Sequence, residues 1–480
     1  MNIKSKLHIA QQEVYYGQLM DPKNPLYNIG GYTIFKGSFN TSQFKHVIEG
    51  LSKVFDVFNI RFDFTENEPS FCLKDFQEKV TIDELDFSSE IEPRVAAKEW
   101  MQAQFNIPFD LNQEKLYIYT LIKIAEDEFW WFVCFHHLIT DGFGFAVKVN
   151  YVIGEYENLI RGGEKSEVVY PSYLDATKKS FDYLLSEQYH KDVIYWNEKY
   201  SSIPNSLLND KRQKKELGGN RISILISKED RELFNRLSLD TKANISQFTI
   251  AALLLYLGKT TDKETFSLGI PVHNRSGRNE RKTLGMFAGI LPYKGKYVGE
   301  QILSDVISEI QQTQRNDYKH RLYPISYLNR SLKLLSESRW QLFDIVVNYE
   351  PLPFPKSLSP NLHIEIKHLA STLVEYPLSI RWSDYGEDSP LELNVDYQRG
   401  YFEKNEVEML IKRLLYIIRQ FEFGLNKPIE DISIIPIEEE KQLLHLFNDT
   451  AVAYPKDKTV VDLFEEQVKK TPDAIAVVYE

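Results

Sequence analysis

Cysteine is nearly absent. Cys72 and Cys134 are the only two in 480 residues, which excludes a disulfide framework and any paired-cysteine metal motif. A reducing compartment and no metal are expected. Long apolar runs are missing too. No stretch approaches about 18 uninterrupted apolar residues, so no transmembrane helix is predicted. Met1–Ile9 carries lysines but lacks the apolar run of a signal peptide. Basic charge is in deficit: 57 Lys and Arg stand against 69 Asp and Glu, a formal net charge of −12. A chain without a dense basic stripe is a poor nucleic-acid binder. Repeats of 20–50 residues are absent, which argues against a solenoid. The expectation is a cytoplasmic protein with neither nucleic acid nor membrane as partner.

What is present is globular. Hydrophobic residues make up 43% and charged residues 26%, a composition that argues against disorder. At about 150 residues per domain, the length suggests roughly three domains. Helical spacing marks residues 9–20, Asn40–Phe55, Pro93–Phe105 and Gly142–Ile160. Strand-like runs are Tyr32–Phe35, Val57–Phe62, Leu116–Ile124 and Phe129–Phe135. The last is apolar throughout, which suits a strand buried on both faces. The second half alternates again, with strands predicted at Ile222–Ile226, Thr265–Val272, Ile290–Lys294, Asp344–Tyr349, Leu362–Ile366 and Leu391–Tyr397. Its helices are predicted at Lys228–Leu239, Ser246–Leu257 and Glu403–Phe421. The fold class is mixed α/β (α+β) in two lobes, 1–170 and 171–432, joined through the polar segment Arg161–Pro171, with a tail at 433–480.

One segment carries chemistry: Phe135-His136-His137-Leu138-Ile139-Thr140-Asp141-Gly142. A buried strand delivers two histidines, an aspartate follows four residues after the second, and a glycine opens a helix. Histidine titrates near neutral pH and can accept or share a proton. Asp141 can fix the loop through a salt bridge or cap the helix. Gly142 lets substrate approach the backbone, or serves only the turn. A histidine at a strand end is ordinarily structural; the combination of four residues is what sharpens the reading. Cys134 reads as a core residue. No Gly-x-Ser-x-Gly elbow suggests an acyl-enzyme.

His136-His137-Leu138-Ile139-Thr140-Asp141-Gly142 resembles the His-His-x-x-x-Asp-Gly signature of condensation domains from nonribosomal peptide synthetases. Ile9–Tyr16 resembles the opening Ala-Gln block of that family. Asp56–Phe62 resembles the second, with Asn59 where arginine is usual. Gly269–Arg275 and Leu284–Pro292 are similar to the fifth region, and Phe343–Tyr349 resembles the last core motif. The fourth block, near Tyr173–Asp175, and the sixth, near His320–Pro324, are degenerate. The resemblance covers about residues 7–430. It implies two chloramphenicol-acetyltransferase-like lobes in a V around a tunnel.

The resemblance also implies roles. Family members join a thioester-bound acyl donor to the amine of a carrier-tethered aminoacyl acceptor. His137 would deprotonate or position that amine, and Gly142 would admit the thioester. His136 would be structural. Asp141 would pair with Arg275 and hold the loop, and Asn348 would reach the tunnel or simply bond at a strand end. No cofactor is bound tightly; substrates ride on 4′-phosphopantetheine arms of carrier proteins, or the donor comes as acyl-CoA. The opening block begins within about eight residues of Met1. If Met1 is the native start, this resembles a starter condensation domain taking a fatty or aryl acyl group. Phe447–Pro455, a predicted helix at Thr459–Lys469 and an apolar strand to Glu480 look like the start of an adenylation domain in the same chain. Alternatives are an epimerisation domain, which shares the signature but inverts a carrier-bound residue, and a non-catalytic module that recruits a carrier or partner.

Overall fold

A computed structural model describes residues 4–65, 68–74, 78–112, 115–164, 168–208, 218–337, 339–351, 357–359, 361–386 and 389–479. Of the predicted crossover Arg161–Pro171, residues 165–167 lie outside these. The described strands are β1 (Lys4–Lys6), β2 (Asn28–Gly37), β3 (Ile60–Asp63), β4 (Ser70–Leu73), β5 (Asp83–Asp86), β6 (Tyr117–Ala125), β7 (Glu128–His136), β8 (Gly219–Leu225), β9 (Thr265–Val272), β10 (Gly289–Lys296), β11 (Ile345–Pro351), β12 (Ser357–Ser359), β13 (Leu362–His368), β14 (Leu378–Asp384) and β15 (Leu391–Gln398). They form a small sheet, β1-β4-β3, and two six-stranded sheets, β12-β13-β2-β7-β6-β5 and β10-β9-β11-β14-β15-β8. Residues 1–434 form one compact unit, and 435–480 a second.

The apolar run of β7 is buried on both faces, as its composition predicts. Trp131, Val133 and Phe135 enter one core with Val149, Val152 and Tyr156 of the helix Gly142–Ile160. Trp130, Phe132 and Cys134 enter another with Ala97, Met101 and Phe105 of the helix Pro93–Phe105. The second sheet is different. Val347, Ile380, Trp382, Leu393 and Val395 pack into the core with the helices Lys228–Thr241, Ile245–Thr260, Leu303–Lys319 and Lys404–Gly424. Its other face is polar: Asn348, Arg381, Asn394 and Ser223 stand side by side in register across β11, β14, β15 and β8.

Several expectations shift. The helix predicted over Asn40–Phe55 breaks at Gly50 into Thr41–Glu49 and Leu51–Val54. The strand predicted at Val57–Phe62 begins instead as a 3-10 turn, Asp56–Asn59, where Asn59 Nδ2 donates to the Ser52 carbonyl at 2.7 Å. β14 and the helix Leu303–Lys319 were not expected, although Leu303, Val306, Ile307 and Ile310 have helical spacing.

The boundary at 170/171 is crossed three times. Tyr173 and Leu174, then Leu284, Met286 and Phe287, then Leu358, Leu362 and Ile364 all belong to the core of the first lobe. β13 pairs antiparallel with β2. The reason is physical: the edge of β2 needs a partner for its ladder, and Leu362 and Ile364 bury apolar surface by supplying it.

Lys148 of the helix Gly142–Ile160 is fully buried, and its Nζ lacks a hydrogen-bond partner. The Nζ sits 4.4–5.2 Å from the ring centroids of Phe145, Phe135, Trp131 and Tyr119. Cation–π attraction offsets part of the cost of removing the amine from water, and burial pushes its pKa well down. Lys148→Met keeps the volume and removes the polar group. It should raise stability by about 1–4 kcal/mol, read as a higher urea midpoint.

In residues 435–480 the predicted tail helix forms at Val460–Lys470, capped by Thr459. Val460, Leu463, Phe464 and Val468 share one face of it and are exposed. The strand expected at the end of the chain does not form; residues 475–479 carry no regular structure, since a strand exists only where a neighbour completes its ladder. Among the described residues, no helix is long and apolar enough to cross a membrane, and no group of side chains is arranged to hold a metal ion.

Candidate active site

β7 ends at His136, and His137 is the first residue of the turn that follows. His136 falls on the face of Cys134 and Phe132 and is buried. The Leu138 N–H donates to its Nδ1 at 3.1 Å, which leaves the proton on Nε2, 3.1 Å from Gln18 Oε1. Burial, and then the neighbouring His137, lower its pKa to about 3. His136 is a locked, neutral hydrogen-bonding group.

His137 is held by its backbone N–H, which donates to the Tyr27 carbonyl at 2.8 Å. Its side chain is half-buried. Nδ1 is enclosed and has no hydrogen-bond partner of ordinary geometry, so Nε2 is the nitrogen left at the accessible surface. Burial lowers the pKa of the ring, while Asp141 and the Thr140 backbone act in the opposite direction. The imidazole is therefore neutral at neutral pH, with one nitrogen free to act.

Asp141 is the hub. It is 1% exposed. Its Oδ2 accepts from Arg275 Nη1 at 2.7 Å and from the backbone N–H groups of Phe287 at 2.9 Å and Ala288 at 3.0 Å. Its Oδ1 accepts from Arg275 Nη2 at 2.9 Å and from the Gly144 N–H at 2.7 Å, which caps the helix Gly142–Ile160. The bridge and the cap, weighed as alternatives from sequence, are both present. Burial alone would raise the pKa of this carboxyl, but the charge of Arg275 and the donated hydrogen bonds lower it. Arg275 also donates to the carbonyls of Gly285 at 3.1 Å and His273 at 3.2 Å. Its guanidinium lies 4.3 Å from the Phe287 ring and 4.8 Å from Phe143.

Gly142 opens the helix, and a Cβ there would meet no atom within 4 Å. The glycine thus borders empty space beside the loop. Asn348 is not brought to His137. It lies on the polar face of the second sheet, where its Nδ2 donates to Glu350 Oε1 at 2.7 Å.

The opening block has a function that its sequence did not reveal. Gln11 Nε2 donates to the Leu138 carbonyl at 2.6 Å, and Gln18, two helical turns on, holds His136. The helix Ile9–Met20 therefore clamps the signature loop at two points. The degenerate blocks also keep working contacts. The Tyr173 hydroxyl donates to the Met286 carbonyl at 2.6 Å, and His320 Nδ1 lies 2.7 Å from Asp192 Oδ1.

A family model for the condensation domain matches residues 4–444. Similar curated proteins include a dimodular nonribosomal peptide synthase of Bacillus subtilis, 25% identical over 98% of this chain and 20% of its own length. Tyrocidine synthase 3 of Brevibacillus parabrevis is 28% identical over 78% of this chain and 6% of its own. The chain thus spans a fifth or less of these relatives. The starter condensation domain of rhizomide synthetase, solved as a mutant with C8-CoA, superposes with a TM-score of 0.79 at 23% identity, covering 90% of this chain and 97% of that one. The first condensation domain of the calcium-dependent antibiotic synthetase gives 0.78 at 17% identity, covering 90% and 99%. With its signature loop clamped by the helix Ile9–Met20 and the family model covering most of its length, the chain belongs to the condensation-domain family.

Proposed function

We propose that His137 serves the amide-bond formation that condensation domains catalyse, between a thioester-bound acyl donor and the amine of a carrier-tethered aminoacyl acceptor. The observation that carries this is the neutral, accessible Nε2 of His137 on a loop fixed by Asp141. The amine attacks the thioester carbonyl, a C–N bond forms, and the C–S bond breaks. The amine proton passes to Nε2, and the imidazolium returns it to the departing thiolate, which leaves as the thiol while the ring becomes neutral again. A thioester is already activated, so orientation supplies much of the rate and no covalent acyl-enzyme is needed. Donor and acceptor arrive on phosphopantetheine arms of carrier proteins, or the donor as acyl-CoA. Residues 435–480 lead into an adenylation domain that loads the acceptor.

The test is condensation by the whole chain with acyl and aminoacyl carrier proteins supplied. Amide product supports the reading. Racemised aminoacyl carrier without amide points to epimerisation, and carrier binding without either product points to recruitment.

Two further outcomes are expected. Gly142→Ala should fold with stability changed by no more than about 0.5–1 kcal/mol, because the methyl meets nothing. It should nevertheless condense at least about tenfold more slowly, since the methyl fills space beside the reacting groups. The pH profile gives the second. Only the neutral imidazole accepts a proton, and burial lowers its pKa below the ordinary histidine value of about 6.5. The acid limb belonging to His137 should therefore lie below pH 6.5, apart from the limb of the acceptor amine near about 7.7–8.0.

A further inference from the structure

A cavity of about 240 Å³ lies beside the segment that holds Asp141. Its walls come from the helix Ile9–Met20, the helix Tyr173–Leu184, the start of β10 and residues 321–325. Phe287 and Ala288, whose N–H groups bind Asp141, belong to its lining. The volume falls below the about 300–1,000 Å³ of drug-sized ligand sites, so the cavity suits a small molecule.

Charges of both signs line it, and two of them have no counter-ion. Glu13 Oε1 accepts from the Ser326 N–H at 3.1 Å, but no cation pairs with this carboxylate among the described residues. Burial raises its pKa, and the Ser326 bonds offset part of that. Arg321 donates to the Tyr318 carbonyl at 3.1 Å and to Ser276 Oγ at 2.7 Å, both neutral. No carboxylate pairs with it among the described residues, and its Nε is enclosed without a hydrogen bond. Lys179 and Glu280, also at the cavity, face each other at 3.5 Å and balance. His8 adds no charge, because burial and then Arg275 lower its pKa to about 3. Asn274 completes the polar lining. It stands at φ 48°, in the left-handed region that asparagine tolerates, and its Oδ1 is enclosed without a partner.

A cavity with one unpaired cation and one unpaired carboxylate suits neither sign of ion alone. An anion would meet Glu13, and a cation would meet Arg321. An uncharged molecule would take water from both charges and give neither a partner. A zwitterion satisfies both. Asn274 Oδ1 requires a further N–H, which an ammonium supplies and a carboxylate does not. Ile9, Ala10, Ile290, Leu322 and Ile325 make the rest of the wall apolar.

We propose that this cavity binds a free α-amino acid with an aliphatic side chain, its carboxylate on Arg321 and its ammonium on Glu13 and Asn274. The site does not depend on the condensation reading of His137. A carrier-tethered aminoacyl group has lost the carboxylate that Arg321 requires, so the acceptor of that reaction is a different ligand. The occupant lies against Phe287 and Ala288, and its binding stabilises the folded segment that holds Asp141.

The test is calorimetry of the whole chain with L-leucine, L-leucinamide and 4-methylpentanoate. The amide removes the carboxylate charge, the acid lacks the ammonium, and the side chain is the same in all three. Leucine should bind with a Kd below about 1 mM. It should bind at least about tenfold tighter than either analogue, because each analogue leaves one buried charge unpaired. Saturating leucine should also raise the urea midpoint. Glu13→Gln keeps an acceptor for Ser326, and Arg321→Gln keeps a donor; each should weaken leucine binding at least about tenfold. If a variant fails to fold, the three ligands on the wild type still decide the matter. Leucine that binds no tighter than its analogues, or does not bind, overturns the assignment, as does full affinity in either folded variant. Binding is read without turnover, so this outcome stands apart from that of the condensation assay.

Discussion

His137→Ala should slow condensation by about 10²- to 10⁴-fold, the usual worth of a positioned acid–base group, while the melting temperature stays within about 2 °C of wild type. The two halves of this expectation have separate causes. Nε2 is the exposed nitrogen and the only one a substrate can reach. Nδ1 makes no hydrogen bond of ordinary geometry, with the Thr140 backbone as its polar neighbour, so truncating the ring loses little. The backbone contact to Tyr27 does not depend on the side chain. Single-turnover assays with preloaded carriers give the rate, and calorimetry gives the stability. An unchanged rate would remove His137 from the chemistry. His137→Asn separates two roles: it keeps a hydrogen-bonding group but has no basic nitrogen. Recovery of more than about a third of the rate in that variant would identify positioning, and a rate as low as that of alanine would identify proton transfer.

Asp141→Asn should cost about 3–5 kcal/mol of stability and reduce soluble yield, because it leaves the buried Arg275 guanidinium without its counter-charge. The carboxylate accepts five hydrogen bonds, two from Arg275 and three from the backbone N–H groups of Gly144, Phe287 and Ala288. An amide can accept on one atom only, and its NH₂ would face donors. Urea denaturation measures the loss. The double variant with Arg275→Met should recover part of it, since removing both charges is far less costly than removing one. The pH dependence has a definite sign. Asp141's pKa is lowered in the folded protein, so its contribution is complete above the ordinary aspartate value of about 3.9 and is lost as pH falls below it. A variant as stable as wild type but inactive would give Asp141 a direct part in the reaction.

Much of this site was legible in the sequence. Local pattern identified β7, the helix after it and the His-His-x-x-x-Asp-Gly segment, because a continuous apolar run, a capping aspartate and an opening glycine act over a few residues. The assignment of a structural role to His136 and of a reacting role to His137 came from family resemblance. The pairing of Asp141 with Arg275, 134 residues away, came from family resemblance, since no local pattern links them.

The remainder needed three-dimensional contacts. Gln11 and Gln18 look like ordinary helix residues until the helix Ile9–Met20 is laid against the signature loop. Arg381 lies in β14, a strand the sequence did not reveal, and only strand pairing sets it between Asn348 and Asn394. β13 is the plainest case. Its alternation predicts a strand at Leu362–Ile366, but nothing local says which lobe it completes. The sequence by itself determined the elements and the reactive segment, because periodicity and capping are short-range. Only the tertiary structure decided that β13, the loop at Leu284–Phe287 and Tyr173 return to the first lobe, because burial and strand pairing are settled between residues far apart in the chain.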